Sequence, residues 1–103
     1  MKVMNINKEN FKTEILENEG ITLIDFWAPW CAPCRMLSPI VDQVAEELEN
    51  IKIGKVNVDD EQELAIQFNV MSIPTLVVLK DGKEIKRSSG FIPKSAVKEL
   101  LNI

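Results

Sequence analysis

The residues best suited to covalent chemistry are the two cysteines of the segment Trp30-Cys31-Ala32-Pro33-Cys34. At the start of a helix, side chains three residues apart lie on one face, with Cβ atoms about 5–6 Å apart. A disulfide needs Cβ atoms about 3.5–4.5 Å apart, so a small movement interconverts dithiol and disulfide. Pro33 stiffens this first turn and leaves one fewer unpaired backbone N–H group. The spacing therefore predicts a reversible redox pair.

The two thiols are predicted to differ in reactivity. Cys31 is the outermost and faces the N-terminal end of the predicted helix, whose dipole and free N–H groups stabilise a thiolate. Cys31 is therefore predicted to attack a substrate disulfide. Cys34, one turn further in and less exposed, is predicted to resolve the resulting mixed disulfide.

Other uses of a Cys-x-x-Cys pair are less well supported. A zinc site needs further cysteine or histidine ligands, but the chain has two cysteines and no histidine, so zinc would require ligands from a partner chain. A structural disulfide closing so short a loop contributes only about 2 kcal/mol. Inert core thiols belong on a buried stripe, not beside tryptophans and prolines at a helix entrance. Neither a phosphate-binding glycine-rich loop nor a dinucleotide fingerprint occurs, so no metal or cofactor is expected.

Asp25 stands out within an apolar run. Residues 21–27 are typical of a central strand covered on both faces, and alternation places Asp25 on the face of Leu23, under the next helix. Desolvation raises the pKa of a buried carboxylate, so Asp25 is predicted to take a proton from Cys34 and to return it. Alternatively, Asp25 reaches solvent at the end of its strand. Lys55 is a candidate charge partner, although on pattern alone this lysine is expected to be solvated.

Composition limits the class of protein. With 103 residues and 46% hydrophobic content, the chain suffices for one domain, predicted to span residues 1–103. The net charge is −4 and basic residues are scattered among acidic ones, so nucleic acid is not an expected partner. Residues 1–11 lack the apolar core of a secretory signal, and no apolar run approaches the roughly 20 residues of a membrane span. We therefore expect a cytoplasmic protein that does not insert into membranes.

Hydrophobic patterning predicts an α/β fold with the element order βαβαβαββα. Runs of strand-forming residues predict strands at residues 3–6, 21–27, 51–58, 75–80 and around Ile85. Amphipathic stretches predict helices between Asn7 and Gly20, over residues 33–48 around Pro39, from Asp60 to near Phe68, and from Pro93 onward. Early strands should be parallel and the last two antiparallel. Active sites in such sheets lie beyond the carboxyl ends of strands, where residues 27–34 fall.

Local signals refine these elements. Asn7 is predicted to cap the first helix, whose buried face is formed by Phe11, Ile15 and Leu16. Asp60 and Glu63 have the spacing of a capping box for the third helix. Asp81-Gly82 predicts a tight hairpin between the last two strands.

Residues 25–36, DFWAPWCAPCRM, resemble the active-site segment of the thioredoxin family. Further matches follow in order at Pro39, residues 55–59 (KVNVD), residues 72–76 (SIPTL), residues 80–82 (KDG) and Gly90. The resemblance covers essentially the whole chain. It implies the thioredoxin fold, a five-stranded mixed sheet in the order 1-3-2-4-5 flanked by four helices, and a cis peptide bond before Pro74.

The resemblance also implies a substrate groove, in which the loop before the cis proline lies against the cysteines and pairs with an extended peptide. By position, the groove residues are Trp30, Ser72, Ile73 and Gly90. The backbone of Ile73 would bond to substrate, and Trp30 beside an exposed thiol would hold a substrate chain. Pattern alone equally allows turns and ordinary packing at these positions. Two departures are Ala32, where most members have glycine, and Phe91, which is larger than usual and would alter the apolar rim.

The implied function is protein-disulfide reduction, which donates electrons to disulfide-containing target proteins and maintains cell redox homeostasis. A flavoprotein reductase linked to NADPH or ferredoxin would regenerate the dithiol. An oxidant or isomerase would be favoured by a signal sequence and a histidine between the cysteines, and neither is present. A non-enzymatic scaffold subunit is a further alternative. The chain is expected to be a monomer.

Overall fold

The computed structural model describes residues 3–102 and has the predicted order of elements. Met1, Lys2 and Ile103 of the predicted domain lie outside the described residues. The strands are β1 (Val3–Asn5), β2 (Ile21–Trp27), β3 (Ile51–Asn57), β4 (Thr75–Lys80) and β5 (Lys83–Ser89). The helices are a short π-type helix (Lys12–Leu16), α1 (Ala32–Glu47), α2 (Gln62–Gln67) and α3 (Lys94–Leu100). Within this part of the chain, no helix has the length and apolar character needed to cross a membrane.

The strands form one sheet in the order β1-β3-β2-β4-β5. β3 pairs in parallel with β1 and β2, whereas β4 pairs antiparallel with β2 and β5. This mixed sheet confirms the thioredoxin fold that the resemblance implied. β2 is the middle strand of the sheet, and its residues 22–26 are all buried, as expected for a strand covered on both faces. Its carboxyl end leads directly into the loop before α1.

Two apolar cores, one on each face of the sheet, hold β2 in place. On one face Leu23 packs with Leu37 and Val41 of α1. On the other face Phe26 belongs to a second core, and its ring centroid lies 5.4 Å from that of Phe68. Fully burying a side chain of this kind contributes about 1.5–3 kcal/mol. The packing of α1 on β2 therefore fixes the position of the residues that connect them.

The first helix differs from its prediction. Asn7 and Asn10 exchange side-chain to backbone hydrogen bonds at 2.9 Å in the turn before the helix, but the N-cap residue is Phe11 and no side chain caps the helix, so the predicted capping by Asn7 is wrong. Phe11 and Ile15 are buried as predicted, but Leu16 is 40% exposed, so its predicted burial is wrong. Leu16 is the last residue of this short helix and, unlike Phe11 and Ile15, does not belong to the second core.

The start of α2 also differs from its prediction. The helix begins after Glu61, and no side chain caps its first turn. Asp60 instead donates its backbone N–H to the Asn57 carbonyl at 3.1 Å, in a turn that follows β3 directly. The predicted capping box of Asp60 and Glu63 is therefore wrong, since this turn determines where the helix begins.

The hairpin between β4 and β5 turns at Asp81 and Gly82, as predicted. Their φ angles are 51° and 82°, the two positive values of a type I′ turn. The Gly20 N–H donates to the Asp81 carboxylate at 2.7 Å, which ties this turn to the start of β2. A Cβ atom at Gly82 would lie 2.3 Å from the Leu16 carbonyl oxygen, so the close approach requires glycine.

Candidate active site

The two cysteines lie where β2 leads into α1. Cys31 is the N-cap residue of α1, and exposed Pro33 occupies the first turn. The backbone N–H of Cys34 donates to the Cys31 sulfur at 3.2 Å. The two cysteines form a disulfide, with their Cα atoms 5.2 Å apart. Because an N-cap sulfur faces free N–H groups and the positive end of the helix dipole, this position stabilises a thiolate on Cys31.

Burial distinguishes the two sulfurs less than the sequence predicted. Cys31 is 5% exposed and Cys34 is 2% exposed. The prediction of an exposed Cys31 is wrong, because the half-buried side chains of Trp27 and Ile73 pack against the pair. The predicted order holds, since Cys34 is the more deeply buried. Within residues 3–102 no group of three or more Asp, Glu, Cys or His side chains is placed to hold a metal ion.

The loop before β4 lies against the disulfide from the opposite side. The Ile73-Pro74 peptide bond is cis, which confirms what the resemblance implied, and Pro74 is buried. The Ile73 carbonyl oxygen lies 3.8 Å from the Cys31 sulfur. The Pro74 carbonyl accepts a hydrogen bond from the Gly90 N–H at 2.8 Å. This loop therefore connects the cysteine pair to Gly90, which lies at the end of β5.

A groove of about 340 Å³ opens beside the disulfide and is lined by Trp30, Val58, Ala65, Val70, Met71, Ser72 and Ile73. Trp30 is 66% exposed, and its indole N–H donates to the Asp59 carboxylate at 3.0 Å. Met71 is 89% exposed. Neither Asp59, the partner of Trp30, nor Met71, which lines the groove, was predicted to have a role: Asp59 lay within a matched segment, and no sequence signal marked Met71. Trp30, Ser72 and Ile73 are thus brought together as predicted by position.

Gly90 and Phe91, the other two predicted groove residues, directly follow β5. Gly90 has a φ of 91°, in the range that favours glycine, and its N–H is bound to the Pro74 carbonyl. Phe91 is 41% exposed. Neither residue lines the groove described above. Gly90 is joined to the cis-proline loop by this hydrogen bond, and Phe91 follows it in the chain.

Asp25 is a buried carboxylic acid on the α1 face of β2. Its side chain is 1% exposed, and its Oδ1 atom has no hydrogen-bond partner. In the sheet it lies opposite Lys55 of β3 and Leu76 of β4. Burial raises the pKa of Asp25 from the ordinary 3.8 to about 6, an effect that the Lys55 ammonium partly offsets and the Asp42 carboxylate increases. The alternative of a solvent-reaching Asp25 is therefore wrong, and this group can exchange a proton near neutral pH.

The charge of Lys55 lowers the pKa of Asp25, as expected of a charge partner, but its direct contacts are with other residues. Its ammonium pairs with Asp42 Oδ1 at 3.1 Å and donates to Ser38 Oγ at 2.5 Å. Its side chain is 13% exposed, so the expectation of a solvated lysine is wrong. No ion pair between Asp25 and Lys55 occurs among the described residues. Ser38 and Asp42 were not predicted to belong to the site, although together with Cys34 they recur every four residues along α1, the spacing of one helix face.

Comparison with known proteins agrees with this geometry. The thioredoxin family model matches residues 2–102. The chain is 46% identical to a thioredoxin of Bacillus subtilis (strain 168) over 103 residues, which cover 99% of this chain and 97% of that protein. It is 45% identical to a thioredoxin of Porphyra purpurea over 103 residues, 99% of this chain and 96% of the relative. A thioredoxin of Haemophilus influenzae is 40% identical over 102 residues, with coverage of 98% and 95%.

These matches span the sheet, the cis-proline loop and the cysteine loop together, and not the Cys-x-x-Cys motif alone. The sequence match therefore includes the elements that position the redox pair at the N terminus of α1. The chain belongs to the thioredoxin family and is a dithiol/disulfide oxidoreductase whose Cys31–Cys34 pair undergoes thiol–disulfide exchange.

Proposed function

We propose that this chain reduces disulfides in other proteins, with Cys31 as the attacking thiol and Cys34 as the resolving thiol. The observation that carries the proposal is the hydrogen bond from the Cys34 N–H to the Cys31 sulfur at the N-cap of α1. This donor and the helix dipole stabilise the thiolate of Cys31 relative to its thiol. Cys34 lies one turn further along and is 2% exposed, so the Cys31 sulfur of the mixed disulfide is its natural target.

The proposed reaction transfers two electrons in two exchange steps. The Cys31 thiolate attacks one sulfur of the target disulfide, which forms a mixed disulfide and releases the other target sulfur as a thiolate. Cys34 then loses its proton and attacks the Cys31 sulfur. This step breaks the mixed disulfide and releases the second target thiolate. The target becomes a dithiol, and this chain is left with the Cys31–Cys34 disulfide.

Asp25 is the proposed acceptor of the Cys34 proton. It follows Leu23 on the α1 face of β2, and Leu23 packs with Leu37, which lies three residues after Cys34 on the buried side of α1. The carboxyl group therefore lies beneath the first turns of that helix. With a pKa of about 6, Asp25 is mainly ionised at neutral pH and still returns a proton in the reverse reaction. Lys55 supports this role by placing a positive charge nearby.

The target peptide is proposed to bind along the groove and the cis-proline loop. The proposed contact residues are Trp30, Ser72, Ile73, Gly90 and Phe91. Ile73 would pair its backbone with the target, because its carbonyl lies 3.8 Å from the Cys31 sulfur that must reach the target disulfide. Trp30 offers a large, exposed apolar surface at the edge of the groove. Pro33 and Pro74 would support the site by fixing the backbone on either side of the cysteines.

Further proposals concern the setting in which the chain works. A core that joins Val3 near one end to Leu101 near the other supports a single domain over residues 1–103. The chain would act as a cytoplasmic monomer and maintain cell redox homeostasis. Electrons would come from a flavoprotein reductase linked to NADPH or ferredoxin, because no dinucleotide fingerprint occurs in the sequence.

The roles of the two cysteines are tested by trapping. Reduced Cys34→Ser protein, incubated with a disulfide-containing protein such as insulin, should accumulate a mixed disulfide through Cys31, because the resolving thiol is gone. Cys31→Ser is the matched control and should accumulate none. Mass spectrometry of the non-reduced products identifies the linked cysteine. Trapping by Cys31→Ser alone, or equally by both variants, would contradict the assignment.

The role of Asp25 is tested by the pH dependence of resolution. In single-turnover reactions, Asp25→Ala should slow the release of the reduced target more at about pH 7 than at about pH 9, where the more abundant hydroxide can replace Asp25 as the proton acceptor. Equal slowing at both pH values would show that Asp25 does not accept this proton.

A further inference from the structure

One face of α1 carries three polar or reactive side chains in line: Cys34, Ser38 and Asp42. Cys34 belongs to the redox pair, whereas the other two bind the Lys55 ammonium that rises from β3. Lys55 is the strand neighbour of Asp25, yet its charge is directed to the helix and not along the sheet. The mechanism above makes no use of Ser38 or Asp42.

We propose that Ser38 and Asp42 are positioning residues that hold the Lys55 ammonium on α1 and so leave the Asp25 carboxylate without a direct ion pair. The proposal rests on the role assigned to Asp25 under the proposed function. Two contacts carry it, the 3.1 Å ion pair between Lys55 and Asp42 and the 2.5 Å hydrogen bond from Lys55 to Ser38. The unpartnered Oδ1 atom of Asp25 is the complementary observation.

The groups that surround Asp25 show which carboxylate competes with it for the Lys55 ammonium. On the β4 side, Asp25 faces Leu76, which has no charge. On the α1 side are Cys34, which is held in the disulfide of the oxidised protein, and the carboxylate of Asp42. On the β3 side is Lys55, a residue that also lines a cleft together with Asn57, Asp60 and Glu61. Asp42 is the carboxylate in contact with the Lys55 ammonium, which makes it the direct competitor of Asp25.

The consequence for proton transfer follows from the sign of each charge. A cation in contact with a carboxylate favours its ionised form and lowers its pKa, whereas a nearby anion raises it. Removing the charge of Asp42 would free Lys55 to turn toward Asp25 and would also remove a nearby negative charge. Both changes favour the ionised form of Asp25. Removing the Ser38 hydroxyl would cause only the first change, and to a smaller extent.

The test is the titration of Asp25 in the oxidised protein, followed by the carboxyl ¹³C chemical shift of labelled aspartate. In Asp42→Asn the midpoint should fall by at least about half a pH unit, a change of about threefold in proton affinity. Ser38→Ala should shift it in the same direction by less. Glu47→Gln is the matched control, because it removes a carboxylate of α1 that pairs with Lys94 and Lys98 at the far end of the helix. An unchanged midpoint in Asp42→Asn, or an equal fall in Glu47→Gln, would overturn the proposal.

A second background tests whether the effect acts through Lys55. In Lys55→Met protein, the shift caused by Asp42→Asn should be less than about half of its size in the wild-type background, because only the direct repulsion of Asp25 remains. An equal shift in both backgrounds would show that Asp42 acts directly and would overturn the positioning role. These titrations do not depend on catalysis. If Asp25→Ala leaves resolution unchanged, the proposed proton transfer fails, whereas the titrations still decide where Lys55 is held.

Discussion

Replacing Asp25 by asparagine should stabilise the protein at neutral pH. The buried carboxyl is 1% exposed, one of its oxygens has no hydrogen-bond partner, and its nearest cation is paired with Asp42. Ionising such a group inside the fold is costly, because burial removes water that would solvate the charge. Asparagine has almost the same volume and cannot ionise. Asp25→Asn therefore removes the cost of the charge without creating a large cavity.

The magnitude follows from the pKa of Asp25, which burial raises from 3.8 to about 6. The shift of about two units corresponds to about 3 kcal/mol, at about 1.4 kcal/mol for each unit. The folded protein binds this proton more tightly than the unfolded chain does. Asp25 therefore does not destabilise the fold below about pH 4, and its ionisation lowers the free energy of unfolding as the pH rises to about 6. The full penalty applies above about pH 7. The advantage of Asp25→Asn over the wild type should therefore grow by about 3 kcal/mol between about pH 3.5 and pH 8.

The assay is urea unfolding of the oxidised wild type and Asp25→Asn at a series of pH values, followed by tryptophan fluorescence. The difference between the two free energies of unfolding is plotted against pH. Glu9→Gln, which alters an exposed carboxylate, is the control and should change this difference by less than about 0.5 kcal/mol. A difference curve for Asp25→Asn that stays flat, or that falls as the pH rises, would refute the reasoning about the buried charge.

Two further predictions concern the turn and the groove. Gly82→Ala should destabilise the fold by at least about 1 kcal/mol more than Gly20→Ala in denaturant unfolding. Both glycines have positive φ, but only at residue 82 would a Cβ lie 2.3 Å from the Leu16 carbonyl oxygen, and equal losses would exclude that contact as the cause. Trp30→Ala should raise the KM for a protein disulfide several-fold while changing stability by less than about 1 kcal/mol, because the indole is 66% exposed and donates its hydrogen bond to the surface Asp59. An unchanged KM would remove Trp30 from the target surface.

Much of the fold was predictable from patterning, because its central elements are long and strongly periodic. The apolar run of β2, the buried stripe of α1 and the Asp81-Gly82 hairpin were located within one or two residues. The strand order was implied by the resemblance and not by the pattern. The burial of Leu16 and the start of α2 were mispredicted, since each depends on a short turn whose geometry is set by neighbouring elements.

The candidate site was predictable where it depends on local spacing. Cys31 and Cys34 share a helix start, and alternation along β2 placed Asp25 on its buried face. The partners of Lys55 were not found, because they depend on which face of α1 lies over β3, a contact between distant parts of the sequence. The same holds for the near-complete burial of Cys31, which depends on the loop that carries Ile73.

The reduction potential of the Cys31–Cys34 pair tests the central claim most directly. The protein is equilibrated in dithiothreitol redox buffers, and the dithiol and disulfide forms are quantified after rapid alkylation. We predict a potential below that of the glutathione couple, because a donor of electrons to protein disulfides must be the stronger reductant. A potential well above that couple would contradict the account and would indicate an oxidant or isomerase.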